Sequence, residues 1–331
     1  MKNIVRLLRG LWMVVILVAV GTSWAQLSEA ERSAVLMNHD YEVSANITYI
    51  EVNNYNAKLD VYRPHQAKSP TPVVMLIHGG GWVAGTKEES VLGALPYLQR
   101  GFAVVNVEYR LGKASLAPAA VEDCLCALHW IGQNAKKYNF DLTKVIVTGG
   151  SAGGHLALTT GMIPSSAGFE NECAYGEDEK WSGPWTNPRP PVAAIINWFG
   201  ITDVAEMLQG PNLRSYAVSW FGSLPNREEL ARRVSPLTYV RAGLPPVLTI
   251  HGDADALVPY TEAVRLHQGL TKAGVKNQLL TIPGGGHGDF TADQEIKAFE
   301  TIDAFLASLG IGPAGEVSQP SSLNGALKVG R

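Results

Sequence analysis

The stretch "KVIVTGGSAGGHLAL", residues 144–158, passes from a β-branched run through small residues crowded around one serine and into helix formers. It is either a plain strand-to-helix turn or a serine held up as a nucleophile. Gly149 and Gly153 frame Ser151 in the pattern G-x-S-x-G. A sharp, strained turn of this kind lifts a serine hydroxyl above the end of a sheet, and small neighbours are needed where backbone passes close to backbone. A hydroxyl is a poor nucleophile near neutral pH. The second reading therefore requires a base to take its proton, an acid to orient that base, and N–H donors for the developing oxyanion.

The chain holds a candidate for each part. "HGDADALVP", residues 251–259, follows a predicted strand and supplies Asp253 and Asp255; "GGGHGDF", residues 284–290, follows the next strand and supplies His287. The order Ser151, Asp255, His287 is the chain order that accompanies a G-x-S-x-G elbow. Each candidate falls on a loop at the C-terminal end of a strand, where α/β sheets place their ligands. Asp253 is read as a brace of its turn, and His251, at the strand end, as structural. A metal set from His251, Asp253, Asp255 and His287 is the competing reading, but it leaves Ser151 unexplained. "HGGGW", residues 78–82, follows the third predicted strand, and its glycines let backbone N–H groups approach a substrate.

Short β-branched runs recur at 47–52, 57–63, 72–78, 102–110, 144–149, 192–200, 245–252 and 277–283. Helix-like stretches at 89–100, 117–137, 152–162, 260–273 and 291–308 separate the later ones. The alternation predicts an α/β fold, a mostly parallel eight-stranded sheet with helices on both faces. The first two runs, joined by "NNYN", read as an antiparallel hairpin at one edge. Two segments break the rhythm. Residues 164–191 form a Gly-, Pro- and charge-rich excursion carrying Trp181 and Trp185, and residues 204–243 contain "SYAVSWFG" and the charged helix candidate "NREELARRV". The tail at 310–331 lacks apolar periodicity and reads as disordered.

Lys2, Arg6 and Arg9 precede the apolar run "LWMVVILVAV" and the small residues Ser23 and Ala25. This pattern predicts a secretory signal peptide over residues 1–25, followed by a catalytic domain over 26–309 and a secreted or periplasmic protein. The run is shorter than the about 20 apolar residues of a spanning helix, which speaks against stable membrane insertion, with an uncleaved anchor extended through Leu7, Leu8 and Gly10 as the competing reading. Cleavage would remove three positive charges and no negative one, taking the net charge from −3 to −6. Nucleic acid is thereby disfavoured as a partner. Among the three cysteines, a bridge from Cys124 or Cys126 to Cys173 and three free thiols are both open.

"HGGGW", "YRL" (109–111), "GGSAGG", "SPLTYV" (235–240), "HGDADALVP" and "GGGHGDF" together resemble the secreted bacterial α/β-hydrolases grouped with bifunctional feruloyl and acetylxylan esterases. Their wider relatives are the hormone-sensitive-lipase-like carboxylesterases. The likeness spans about residues 45–308. It implies an α/β-hydrolase fold and hydrolysis of a small-molecule or polysaccharide-linked ester through an acyl-enzyme, with no metal and no organic cofactor. By the same resemblance Ser151 is the nucleophile, His287 the general base and acid, and Asp255 the residue that orients His287. The N–H groups of Gly80, Gly81 and Ala152 would form the oxyanion hole. Gly150 departs from the Asp of the hormone-sensitive-lipase pattern, which favours the xylan and ferulate branch. Trp82 and Trp198 are candidate substrate-binding walls, with hydrophobic core as the competing fate. A prolyl-oligopeptidase-type peptidase would need a large extra domain for which the chain has no room. A non-catalytic binding protein of this fold would typically lack a triad residue, and none is missing.

Overall fold

The computed structural model describes residues 27–65, 67–174 and 189–312. Two compact units divide between His39 and Asp40. In the first, helix α1 (Glu29–Asp40) starts at Ser28, whose hydroxyl accepts the Glu31 N–H while the Glu31 carboxylate accepts the Ser28 N–H, a reciprocal cap. Among the described residues no helix is long and apolar enough to cross a membrane. The predicted signal peptide, Trp181, Trp185 and the tail from residue 313 lie outside the described residues.

The second unit is built on one eight-stranded sheet in the order β1-β2-β4-β3-β5-β6-β7-β8. β1 (Tyr41–Val52) and β2 (Tyr55–Pro64) form the predicted edge hairpin, and β2 also runs antiparallel to β4 (Ala103–Val107). From β4 onward, β3 (Thr71–Ile77), β5 (Phe140–Gly150), β6 (Val192–Trp198), β7 (Val247–Gly252) and β8 (Asn277–Ile282) are parallel. β3, "TPVVMLI", is buried at every position, as expected of a central strand covered by helices on both faces. β1 begins six residues before its predicted start because a register shift between Ser44 and Ile47, with Asn46 at φ 56°, interrupts the alternation.

The helices α2 (Val91–Gln99), α3 (Ala119–Tyr138), α4 (Ala152–Met162), α7 (Tyr260–Lys272) and α8 (Ala292–Ala307) match the predicted helical stretches to within about two residues. α8 opens on a capping box between Thr291 and Gln294. Beyond it, Gly310 at φ 68° turns the chain back, and the buried Ile311 donates to Leu306 O at 3.0 Å. The stretch at 204–243 holds α5 (Ser215–Phe221) and α6 (Arg227–Arg233).

Cys126 of α3 is bonded to Cys173, and Cys124 is buried and free. Arg110 adds a second anchor, reaching Asp123 at 2.7 Å and Glu172 at 2.6 Å. Both tie the start of the excursion to α3. The bridge closes a separation of 47 residues, so Cys173→Ser is expected to lower stability by about 2–4 kcal/mol, chiefly by releasing the unfolded chain. Chemical unfolding with and without dithiothreitol checks this: reductant should shift the wild-type midpoint and leave that of the variant in place.

Candidate active site

The strand ends deliver the site. Ile77 pairs with Gly149, Gly149 with Asn197, and Trp198 with Ile250, so the parallel strands finish nearly level and their following loops converge. Ser151 is the single residue between β5 and α4, at φ 57° and ψ −121°, a strained backbone for a residue with a Cβ. Ser151 N–H is held by Trp198 O at 2.9 Å, and Ser151 O accepts His155 N–H at 3.0 Å, which fixes the turn from both sides. The crowding of small residues has a steric cause. A Cβ at Gly153 would stand 2.2 Å from Ile77 O, so α4 can start this close to β3 only with glycine there.

Three side chains that are far apart in the chain meet at this turn. Ser151 Oγ lies 2.8 Å from His287 Nε2, and His287 Nδ1 lies 2.7 Å from Asp255 Oδ2. Nδ1 faces a carboxylate and therefore carries the proton, which leaves the Nε2 lone pair to accept from the serine hydroxyl. Asp255 Oδ1 accepts Leu257 N–H at 2.8 Å and Val258 N–H at 2.9 Å. Burial acts to raise the Asp255 pKa, but hydrogen bonds from His251, His287 and Val258 N–H outweigh it and hold this carboxyl well below the usual range. Asp253 accepts Gly284 N–H at 2.7 Å and so braces the turn, as its position predicts. Among the described residues no group of three or more His, Cys, Asp or Glu is placed to hold a metal.

A cavity of about 490 Å³ opens over Ser151 and His287, lined also by residues 79–81, Gly150, Phe199, Tyr216 and Leu257. Gly80 and Gly81 sit at φ 109° and 60°. Their loop is pinned from behind: Tyr109 Oη donates to His78 O at 3.1 Å and to Gly79 O at 3.2 Å, and its ring stacks on His78 at 4.2 Å. Ala152 opens α4, so its N–H belongs to the first turn, where no intrahelical acceptor exists.

Trp82 and Trp198 are corrected here. Trp82 is fully buried, stacked on Trp220 at 4.3 Å, and its Nε1–H donates to His155 Nδ1 at 3.1 Å. It is core, and it locks the glycine loop to α4 through His155. Burial pushes the His155 pKa down to about 4, so this ring is neutral and donates Nε2–H to Val234 O at 2.8 Å. Trp198 packs toward Phe299 at 5.5 Å and lines no part of the cavity; its backbone carbonyl serves Ser151. Strand alternation cannot say which face of β6 looks at the site.

The walls come from residues that periodicity does not single out. Phe199, at φ 40°, lays its ring edge against His287 at 4.8 Å, and Gly150 leaves room for it. Tyr216 of α5 covers Gly81. Arg214 donates to Leu257 O at 2.9 Å and to Ala256 O at 3.0 Å, tying the α5 insertion to the acid loop. For Arg214 and Tyr216 the signal was the insertion at 204–243 itself, since long loops in a compact domain are commonly functional; Phe199 falls in a predicted strand and carried none.

The BD-FAE family model matches residues 59–270, and a TAP-like protein model matches residues 224–317. The chain is 27% identical to esterase LipC of Mycobacterium tuberculosis, over 70% of this chain and 56% of that protein, and 28% identical to the probable carboxylic ester hydrolase LipM of the same organism, over 68% and 51%. It thus spans about half the length of the curated relatives it matches. Among solved structures, a truncated carbohydrate esterase from gut microbiota is 30% identical with a TM-score of 0.65, covering 82% of this chain and 97% of that one. The propionate-bound esterase Est2 of Thermogutta terrifontis is 26% identical with a TM-score of 0.66, covering 83% and 97%. With the family model extending over more than half of its length, the chain belongs to the BD-FAE family and has the α/β-hydrolase fold.

Proposed function

We propose that the protein is a serine carboxylesterase working through an acyl-enzyme. The observation that carries this is the chain of hydrogen bonds from Ser151 through His287 to Asp255 at the edge of an open cavity. Ser151 Oγ attacks the ester carbonyl as His287 Nε2 takes its proton, and the developing negative charge is met by N–H groups of Gly80, Gly81 and Ala152. His287 then returns the proton to the leaving alcohol. Water, activated by the same Nε2, releases the acid and restores the hydroxyl. No step calls for a metal or an organic cofactor.

The Cys126–Cys173 bridge and the N-terminal pattern ending at Ala25 support maturation in an oxidising compartment, with the protein periplasmic or secreted. In this reading the mature catalytic domain covers residues 26–309. The aromatic wall of Phe199 and Tyr216 beside Leu257 supports an ester with a wide acyl group, as in feruloylated polysaccharide, over one adapted to acetyl alone. The deciding experiment compares release of ferulate from methyl ferulate with release of acetate from acetylated xylan and p-nitrophenyl acetate. Phe199→Ala should lower kcat/KM for methyl ferulate about threefold to tenfold more than for p-nitrophenyl acetate, the size of an aromatic pair contribution. A selective gain on methyl ferulate would instead make Phe199 a steric limit on acyl size. No hydrolysis of any ester by folded protein would end the esterase reading.

A further inference from the structure

The acid of the triad is contacted by a second histidine. His251 closes β7 with its side chain fully buried, and its Nε2 lies 3.0 Å from Val258 O and 3.2 Å from Asp255 Oδ2. Both neighbours are acceptors, so Nε2 carries a hydrogen. Nδ1 is buried and meets no partner among the described residues. The hydrogen of this ring is therefore placed on Nε2 and not on the partnerless Nδ1. Val258 closes the ring of contacts: its N–H donates to Asp255 Oδ1 while its carbonyl accepts from His251.

We propose that His251 is a positioning residue of the triad, donating Nε2–H to Asp255 Oδ2 and so setting how strongly that carboxylate acts on His287. This rests on the esterase reading above. Asp255 Oδ2 accepts His287 Nδ1–H at 2.7 Å and has His251 Nε2 at 3.2 Å, whose one hydrogen is shared with Val258 O at 3.0 Å, while Oδ1 receives two backbone N–H groups. Three hydrogen bonds and the shared His251 N–H leave this carboxylate a single orientation. The His251 donor also withdraws charge from the oxygen that faces His287. A carboxylate with less charge on that oxygen stabilises a positive charge on the His287 ring less.

The other ionisable groups facing this cluster come from several elements. Tyr260 of α7 sets its ring edge-on to His251 at 5.7 Å, and Glu262 of the same helix and Arg214 act on Tyr216, which senses Asp255. Asp253 holds Gly284, and the Asp289 carboxylate sits against Gly286. None of these residues is substituted when only residue 251 is changed, so a difference between His251→Phe and His251→Gln reads the donor at that position.

The test is kcat and KM for p-nitrophenyl acetate from pH 4.5 to 9 in wild type, His251→Phe and His251→Gln. His251→Phe, which keeps the ring and loses the donor, should lower kcat about tenfold to a hundredfold with little change in KM. Its acid limb should move up by about half a pH unit or more. His251→Gln places an amide N–H near the lost one and should recover most of the rate and return the limb toward wild type. Equal losses in both variants with an unmoved limb would make His251 a structural plug and overturn the proposal. Should His251→Phe fail to fold, the ¹⁵N resonances of His251 in the wild-type protein decide: the Nε2–H tautomer across this range supports the proposal, and the Nδ1–H tautomer overturns it. Failure of the serine-esterase reading has its own signatures, no ester hydrolysis by folded wild type or full activity in Ser151→Ala.

Discussion

Ser151→Ala is expected to lower kcat for p-nitrophenyl acetate by about 10⁴- to 10⁶-fold, with KM changed little. The reason is local. Oγ is the atom within 2.8 Å of His287 Nε2, and the strained turn exists to hold it there. Alanine fits the same space and retains the backbone contacts to Trp198 and His155, so the fold should survive and the loss should be chemical. What remains is binding and oxyanion stabilisation by the glycine loop. Thermal unfolding beside single-substrate kinetics separates the two effects. A folded alanine variant with more than about a tenth of wild-type activity would remove Ser151 from the chemistry.

Asp255→Asn should cost about 10⁴-fold in kcat, while Asp253→Asn should stay within about threefold of wild type. The prediction follows from what surrounds each carboxylate. Leu257 N–H and Val258 N–H point at Asp255 Oδ1, so an asparagine would keep its amide oxygen there. Its NH₂ group would then stand at the Oδ2 position, donor against donor with His287 Nδ1–H and His251 Nε2–H. His287 would have to give up the Nδ1–H tautomer, and Nε2 could no longer accept from Ser151. The Asp253 carboxylate meets only Gly284 N–H among the described hydrogen bonds, and an amide oxygen accepts that equally well. The reverse kinetic result would transfer the orienting role to Asp253.

The strand and helix order, the edge hairpin, and the arrival of Ser151, Asp255 and His287 at neighbouring loops were legible in the chain. Each rests on information local in sequence: period-2 or period-3.6 patterning, and small residues at a strained turn. The start of β1 was lost where Asn46 breaks the alternation, since a bulge is invisible to a periodic reading. Trp82 shows a different failure. Pocket wall and hydrophobic core were both open for it, and a large indole that finds both Trp220 to stack on and His155 to receive its N–H is more stable inside.

The sequence by itself determined the α/β architecture and the chain order of nucleophile, acid and histidine, because these depend on patterns within segments. Only the tertiary structure decided that Cys126, and not Cys124, reaches Cys173, since both lie on one helix and the choice turns on which side faces the excursion. It likewise decided that Phe199 and Tyr216 form the walls, and that His251 stands against Asp255 Oδ2. Those contacts join side chains whose direction is set by packing between distant elements, which no local periodicity encodes.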